Sequence, residues 1–241
     1  VVSLAVSVPN ANGQDFISQS GNSGCSNGWA EAACWSVNGT DGNGNGYPDT
    51  ATETAQISEG DFIQVKTSGL QVGSVTVANT DGDPTNDILS LFSGAGDDFT
   101  INGSLTANGT VNLYTSGFGG SDATITGAVF VNGVVNVDRQ TLSVGGGYNS
   151  NSGGETTFSG QAGTLELASS FSNNGAFTAG SASTVRFNGD FSTSGTPQSL
   201  SGDFSSSAGS DGDNQFHNVV VASGAVVNPD DGFIESDDKA V

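Results

Sequence analysis

One stretch of the chain has the residue types and the spacing of a site for a hard divalent cation. Asp41, Asn43 and Asn45 alternate with glycines, and Tyr47 and Asp49 follow at the same spacing. Such cations need six or more oxygen ligands at about 2.4 Å, which alternating positions of a tightly curled loop can supply. We therefore expect a calcium site to which Tyr47 contributes its backbone carbonyl. The alternative is an Asn/Gly turn cluster that carries an exposed Asp41.

Residues 40–49 resemble the calcium loops of EF-hands, dockerins and thrombospondin type 3 repeats, with Gly46 at the sharp turn. The resemblance implies that calcium is the ion. At the twelfth position of the EF-hand pattern this chain has Thr52, and Glu53, a further candidate ligand, comes one residue later. Because two Asn replace Asp, we expect weak affinity, in the range of about 0.1–1 mM that extracellular modules show.

A second acidic stretch places three carboxylates close together, at Asp81, Asp83 and Asp87. Carboxylates at this spacing can share one cation, and calcium is the ion that we expect. The same pattern is also typical of a solvated turn, and the sequence favours neither interpretation.

Residues that could carry out catalysis are scarce. His217 is the single histidine, and it stands in a strand-like phrase without a nucleophile elbow. Some β-helical proteins cleave acidic polysaccharides, and they use calcium with Lys or Arg, or a cluster of Asp. The basic side chains of this chain are isolated from one another, at Lys66, Arg139, Arg186 and Lys239. No pair of carboxylates is singled out for glycoside hydrolysis, and we expect a protein that is not an enzyme.

The strongly acidic charge of the chain limits the classes of binding partner that we expect. The chain has 25 Asp plus Glu against 4 Lys plus Arg, a formal net charge of -21. Nucleic acids and anionic membranes need a basic surface, so neither is an expected partner. The sequence contains no run of about 18 apolar residues that could insert into a bilayer. Copies of so acidic a subunit repel one another, and calcium bound between them would neutralise the charge.

The two cysteines favour an oxidising compartment. The chain begins with Val and contains no Met, which we interpret as a secreted chain without its signal peptide, or as a fragment. In a secreted chain Cys25 and Cys34 are expected to form a disulfide, and the alternative is two buried thiols. With one His and no CxxC, a zinc site is not expected.

The elements that position these residues are predicted to be short β-strands. Glycine accounts for 37 of the 241 residues and helix formers are scarce, which excludes a helical protein. Strand-like phrases alternate with Asn-Gly, Ser-Gly and Gly-Gly turns, a pattern typical of all-β folds. The predicted strands are 62–65, 74–77, 88–92, 99–101, 110–113, 128–131, 134–137, 141–144, 164–167, 184–187 and 219–221.

Internal repeats favour a parallel β-helix, or solenoid, among the all-β folds. Residues 108–113 reappear as 132–137, and 189–192 reappear as 202–205. Repetition at about 20–30 residues is typical of coils that stack on one another. Interior positions would then align into a ladder of aromatic rings, formed by Phe158, Phe171, Phe177, Phe187, Phe191, Phe204 and Phe216. The alternative is an elongated β-sandwich of the jelly-roll type.

One short sequence pattern recurs in residues 184–189, 198–202, 215–221 and 224–227. Over roughly residues 120–230 the chain resembles the β-helical stalks of large secreted bacterial surface proteins, in the manner of autotransporter passengers and filamentous adhesins. The resemblance implies an extracellular structural or adhesive role, and it carries no catalytic residues.

The first residues have the pattern of a strand with one apolar face, formed by Val2, Leu4, Val6 and Val8. This strand either pairs within its own domain or is donated to the sheet edge of the next subunit, which builds fibres. We divide the chain into this strand at 1–9, a disulfide and calcium-loop region at 10–60, and a solenoid-like domain at 61–241.

These features predict the structural subunit of an extracellular filament or surface assembly, as in a biofilm. Calcium would stabilise it, and it would form a homopolymer through strand addition, with a polysaccharide matrix as a further candidate partner. The first alternative is an adhesin or carbohydrate-binding module, which would stay monomeric when isolated. The second is a polysaccharide-degrading enzyme.

Overall fold

Apolar and polar residues alternate along most strands, so one face of each strand lies in a shared interior. In Thr141–Val144, for example, Leu142 and Val144 are buried and their neighbours are partly exposed. A computed structural model describes residues 15–38, 41, 44–67, 69–91, 98–113, 122–158, 162–180, 182–189, 197–202 and 216–229. There the strands form three sheets, almost entirely parallel, around the interior. The fold is therefore the predicted all-β parallel β-helix rather than the sandwich.

Two strands come first, β1 (Asp15–Ser18) and β2 (Trp35–Asn38), with a 3₁₀ helix at Ala32–Cys34 directly before β2. The coiled part follows, with β3 (Thr54–Ile57), β4 (Phe62–Val65), β5 (Leu70–Val72), β6 (Ser74–Val77), β7 (Ile88–Leu91), β8 (Phe99–Ile101), β9 (Leu105–Ala107), β10 (Thr110–Leu113), β11 (Ala123–Ile125), β12 (Val129–Val131), β13 (Val134–Val137), β14 (Thr141–Val144), β15 (Tyr148–Ser150), β16 (Glu155–Thr157), β17 (Thr164–Leu167), β18 (Phe171–Asn173), β19 (Ala176–Thr178), β20 (Thr184–Phe187), β21 (Gln198–Gly202), β22 (Asn218–Val221) and β23 (Val227–Pro229). Each predicted strand from 62–65 to 219–221 is present, with small differences at its ends, and the predicted strand at residues 1–9 lies outside the described residues.

Three strands make one coil, and each strand pairs with its counterpart in the next coil. Sheet A contains β1, β2, β3, β6, β9, β12, β15, β18, β21 and β23; sheet B contains β4, β7, β10, β13, β16 and β19; sheet C contains β5, β8, β11, β14, β17, β20 and β22. Thr110 pairs with Val134 and Leu113 with Val137, so the repeat of 108–113 in 132–137 is one turn of the helix. The second predicted repeat lies largely outside the described residues.

Aliphatic side chains fill the middle coils, and aromatic rings fill the C-terminal ones. Tyr148 and Phe171, which pair in neighbouring coils, stack with ring centroids 5.5 Å apart. Phe216 in turn packs edge-on against Phe171, at 5.6 Å. The rings of Phe158, Phe171, Phe177 and Phe216 form an aromatic cluster in these coils. The predicted alignment of Phe over Phe does not occur in the described strands, because Phe171 pairs with Tyr148 and Leu200, and Phe187 with Leu167 and Val221. Phe191 and Phe204 lie outside the described residues.

Glycine allows the coils to approach closely at two corners. A Cβ added to Gly133 would lie 2.2 Å from the carbonyl oxygen of Asn108 and 2.3 Å from that of Gly109. Equivalent clashes with the preceding coil recur in two columns, formed by Gly73, Gly103, Gly127 and Gly146 and by Gly109, Gly133, Gly154 and Gly175. The recurring Asn-Gly turns of the sequence are therefore required by backbone contact between coils.

Asparagine side chains connect successive coils beside one of these corners. The amide of Asn132 donates to the side-chain oxygen of Asn108 at 2.8 Å, and that of Asn151 donates to Asn132 at 2.7 Å. Such amide ladders form because identical side chains stack in register.

A cap covers the N-terminal end of the coils. β1 pairs with β3 in parallel and with β2 in antiparallel orientation, so it covers the β3 edge of the first coil, and β2 is the outermost strand of sheet A. On the edge of sheet B, the backbone N–H of Trp29 donates to the Gln64 carbonyl at 2.7 Å. The backbone N–H of Gln64 in turn donates to the Asn27 carbonyl at 2.6 Å. Strand edges invite pairing with other chains, and the cap covers those of β3 and β4 in the first coil.

Indole rings and the predicted disulfide hold the cap together. Trp29 and Trp35 are buried and pack edge-on with ring centroids 4.9 Å apart. The Trp35 indole N–H donates to the Trp29 carbonyl at 2.7 Å. Cys25 and Cys34 are bonded, which confirms the predicted disulfide and closes the segment that carries Trp29.

The glycine columns lead to a stability prediction. Gly133→Ala should lower the free energy of unfolding by about 1–3 kcal/mol, because its methyl group would push against two backbone carbonyls. Gly21→Ala is the matched control, since Gly21 has nothing within 4 Å of an added Cβ. Urea denaturation of both variants checks the prediction, and equal stability of the two would contradict it.

The cap leads to a second prediction. Replacing Cys25 and Cys34 together by Ser should lower the free energy of unfolding by about 2–3 kcal/mol, the loop-closure entropy of a short loop. Thermal unfolding with and without reductant measures the effect. The reductant should destabilise the natural chain and leave the double variant unchanged; a natural chain that is insensitive to reduction would contradict the role given to the disulfide.

Candidate functional site

The predicted calcium loop is folded against the cap and curls through its own hydrogen bonds. One carboxylate oxygen of Asp41 accepts from the Gly44 N–H at 2.9 Å, and the other accepts from the Gly46 N–H at 2.5 Å. Gly46 has a φ of 82°, in the left-handed region expected of the sharp turn. A Cβ on Gly46 would lie 2.6 Å from the Ala32 side chain, so the loop packs on the 3₁₀ helix of the cap. Asn43 lies outside the described residues.

The second half of the loop is held by Glu53. The Asn45 amide donates to the Asp49 carboxylate at 2.6 Å, and the Asn45 oxygen accepts from the Tyr47 N–H at 3.0 Å. Glu53 is buried, and its Oε2 accepts from the N–H groups of Asp49 and Thr50, at 2.8 and 3.0 Å. Glu53 therefore anchors the end of the loop directly before β3. The loop has oxygen atoms of the kind that calcium binds, but its described carboxylates do not form a group of three around one point.

The second acidic stretch forms the loop between β6 and β7. Asp83 turns back on its own loop, where its carboxylate accepts from the N–H and the hydroxyl of Thr85 at 3.0 and 2.6 Å. Asp81 and Asp87 instead approach Glu59, and the three offer carboxylate oxygens within 4.8 Å of one another. We call these three residues the acidic cluster.

Sequence reasoning missed Glu59 because this residue belongs to the preceding coil. It lies in the turn between β3 and β4, and its carboxylate accepts from the Thr80 N–H at 2.7 Å. The signal that could have found it is the coil repeat: β4 pairs with β7, so the segments that enter these two strands are neighbours.

A second group of potential ligands cannot bind a metal ion in this form. Cys25, Glu31 and Cys34 also lie within 4.8 Å of one another. The two sulfur atoms are bonded to each other, so neither is a thiolate, the form that coordinates metals.

The C-terminal end of the coils differs from the capped end. β22 is the last strand of sheet C within the described residues, and it pairs with β20. Val219 and Val221 pair with Val185 and Phe187, which are 2% and 0% exposed. Val219 and Val221 themselves are 41% and 51% exposed. Within the part of the chain that the structure describes, the inward-facing apolar column therefore ends at the edge of β22, which we call the open end. The predicted N-terminal strand of Val2, Leu4, Val6 and Val8 lies outside the described residues.

A shallow groove of about 240 Å³ lies on the outer face of sheet C, between Thr124, Ser143, Glu166 and Asn188. Arg186 approaches it, with its guanidinium 3.9 Å from the Glu166 carboxylate. Hydroxyl, amide and carboxylate groups could hydrogen-bond a sugar there, but its lining contains no aromatic ring for stacking.

No helix in the described part of the chain is long and apolar enough to cross a membrane. Comparison of the chain with family models, curated proteins and solved structures found no match. The features of this chain that bear on its function are therefore its own cap, open end and acidic loops.

Proposed function

We propose that the chain is the structural subunit of an extracellular filament or surface assembly, in which copies associate head to tail through β-strand addition. The observation that carries this proposal is the difference between the two ends. The cap covers strands β3 and β4 of the first coil at one end, whereas Val219 and Val221 leave the apolar column exposed at the other. An unpaired edge with exposed apolar side chains is a template for a further strand.

The strand that fits this edge is residues 1–9 of a second copy. Val2, Leu4, Val6 and Val8 alternate with other residues, so their side chains would all continue the inward column above Val219 and Val221. Backbone pairing supplies affinity in this mode, and the alternating side chains supply register.

The position of this segment suits a head-to-tail contact. Residues 10–14 connect it to β1 in the cap. Five extended residues span at most about 17 Å, whereas neighbouring strands are about 4.8 Å apart. The segment can therefore pass the outer strand β2 and reach the open end of a neighbour. Such a heterologous contact produces a filament when the rotation between subunits does not close into a ring.

Calcium would reduce the charge that opposes assembly. Each subunit carries a formal charge of -21, and copies repel one another. The loop of residues 41–53 packs on the cap, where Trp29 donates its indole N–H to the Pro48 carbonyl at 2.6 Å. An ion held by Asp41, Asn43, Asn45, Tyr47, Asp49 and Glu53 would lie near the end that faces the neighbouring subunit.

The disulfide supports an extracellular location, because such bonds persist in oxidising compartments. The second candidate function is an adhesin or carbohydrate-binding module. The groove beside Glu166 and Ser143 favours it, and a polysaccharide matrix would be its ligand. Sugar sites are commonly built on aromatic rings, which this groove lacks, so we place assembly first.

Deletion of residues 1–9 tests strand donation. The shortened chain should fold and remain monomeric, because the donated strand is lost while the cap and the coils are intact. Sedimentation and electron microscopy with calcium measure particle length. Polymers that survive this deletion would contradict donation, and polymers lost on deletion of residues 230–241 alone would assign the contact to the C-terminal segment instead.

Two substitutions on β22 supply a matched pair for the same test. Val221→Asp places a charge in the inward column and should block assembly. Val220→Asp changes a similarly exposed valine that pairs with the outward-facing Arg186, and it should permit assembly.

The calcium loop leads to a separate prediction on the monomer. Asp41→Ala with Asp49→Ala should remove about 1.4–2.7 kcal/mol of the stabilisation given by 10 mM calcium, as expected of one site with a Kd of about 0.1–1 mM. Melting temperatures in calcium and in chelator measure it. Asp98→Ala with Glu155→Ala, which removes two exposed carboxylates elsewhere, is the control, and an unchanged calcium response in the loop variant would contradict the site.

A further inference from the structure

The acidic cluster contains a buried carboxylate oxygen that the protein leaves without a partner. Asp87 is 0% exposed. Its Oδ1 accepts from the Gly60 N–H at 2.6 Å, and its Oδ2 has no hydrogen-bond partner among the described residues. A buried charged oxygen without a partner costs a large desolvation free energy.

The preceding coil contains a buried carboxylate with a purely structural role, and its hydrogen bonds provide a comparison for Asp87. Asp61 precedes β4 as Asp87 precedes β7, and the two strands are paired. Asp61 accepts from the hydroxyl of Ser18 and from both the N–H and the hydroxyl of Ser20, the latter two at 3.0 and 2.5 Å. The cap therefore supplies donors to both oxygens of Asp61, whereas Asp87 faces two further carboxylates.

Those two carboxylates make the arrangement unfavourable without a cation. Glu59 and Asp81 are exposed, and each offers an oxygen within 4.8 Å of the others and of Asp87. Burial raises the pKa of the Asp87 carboxyl, and the negative charges of Glu59, Asp81 and Asp83 raise it further. A bound cation would remove both penalties at once, because it ligates the buried oxygen and neutralises its neighbours.

We propose that Glu59, Asp81 and Asp87 bind one calcium ion, which joins the turn before β4 in the first coil to the loop before β7 in the second. The ligands come from two separate loops, and the exposed rim leaves room for water. Calcium accepts such irregular oxygen shells, whereas magnesium requires near-ideal octahedral geometry. This site shares no residue with the loop of 41–53, and it does not depend on assembly.

Calcium titration of the full-length chain carrying Asp41→Ala and Asp49→Ala tests the proposal, since that background removes the other predicted site. Calorimetry should detect one site. In hydrogen exchange, calcium should slow the amides of the 58–61 turn and the 78–87 loop. Magnesium should bind at least tenfold more weakly, and equal binding of the two ions would overturn the assignment to calcium.

Three further substitutions in that background separate ligands from nearby charges. Glu59→Gln, at an exposed position, and Asp87→Asn should each weaken calcium binding at least tenfold. Asp83→Asn removes the same charge from a side chain that faces Thr85, and should change affinity by less than about threefold. Equal effects of Glu59→Gln and Asp83→Asn on calcium affinity would mean that calcium is attracted only by the overall negative charge of the loops. That result would overturn the proposed site.

The effect of Asp87→Asn on the melting temperature has a defined direction that tests the proposal. In chelator it should melt at the same temperature as its background or higher, because a repelled buried charge is removed, and calcium should then give it no increase. A carboxyl that is simply protonated would instead leave the background chain unresponsive to calcium, which would overturn the proposal. Polymers that form normally in Asp87→Asn would leave the filament proposal standing, so the two can fail separately.

Discussion

Parallel backbone pairing in register, coil upon coil, is the interaction on which the rest of this structure depends. It aligns like with like, which produces the aromatic stack of Tyr148 on Phe171 and the asparagine ladder through Asn132. It also brings backbone carbonyls so close at two corners that glycine is needed there, as at Gly133. A fold built this way has no natural end, because every coil presents unpaired edges to the next.

The two ends resolve this constraint differently. At the N-terminal end the chain turns back on itself, and Trp29 with the Cys25–Cys34 bond holds a cap over two sheets. At the C-terminal end, Val219 and Val221 continue the interior column but remain exposed. A subunit with one capped end and one open end can stack in a single direction, and bound cations would offset the repulsion between the acidic copies. This asymmetry between the ends is the basis of the proposed function.

The fold could be predicted from the sequence wherever the alternation of apolar and polar residues was local and repeated. Four-residue strands such as Val134–Val137 and Thr164–Leu167 alternate clearly and were predicted. The strand Glu155–Thr157 was missed because its three residues are all polar and show no alternation of apolar and polar residues. Glu59 was missed for a different reason: its partners lie in the next coil, and only the register brings them together.

The proposed filament requires the open end of one subunit to accept residues 1–9 of the next. Helical reconstruction by electron cryo-microscopy of the protein in millimolar calcium tests it most directly. We expect filaments in which a strand with Val2, Leu4, Val6 and Val8 facing inward pairs with β22 of the neighbouring subunit. Dispersed particles in which the same chain's own residues cover Val219 and Val221 would contradict it.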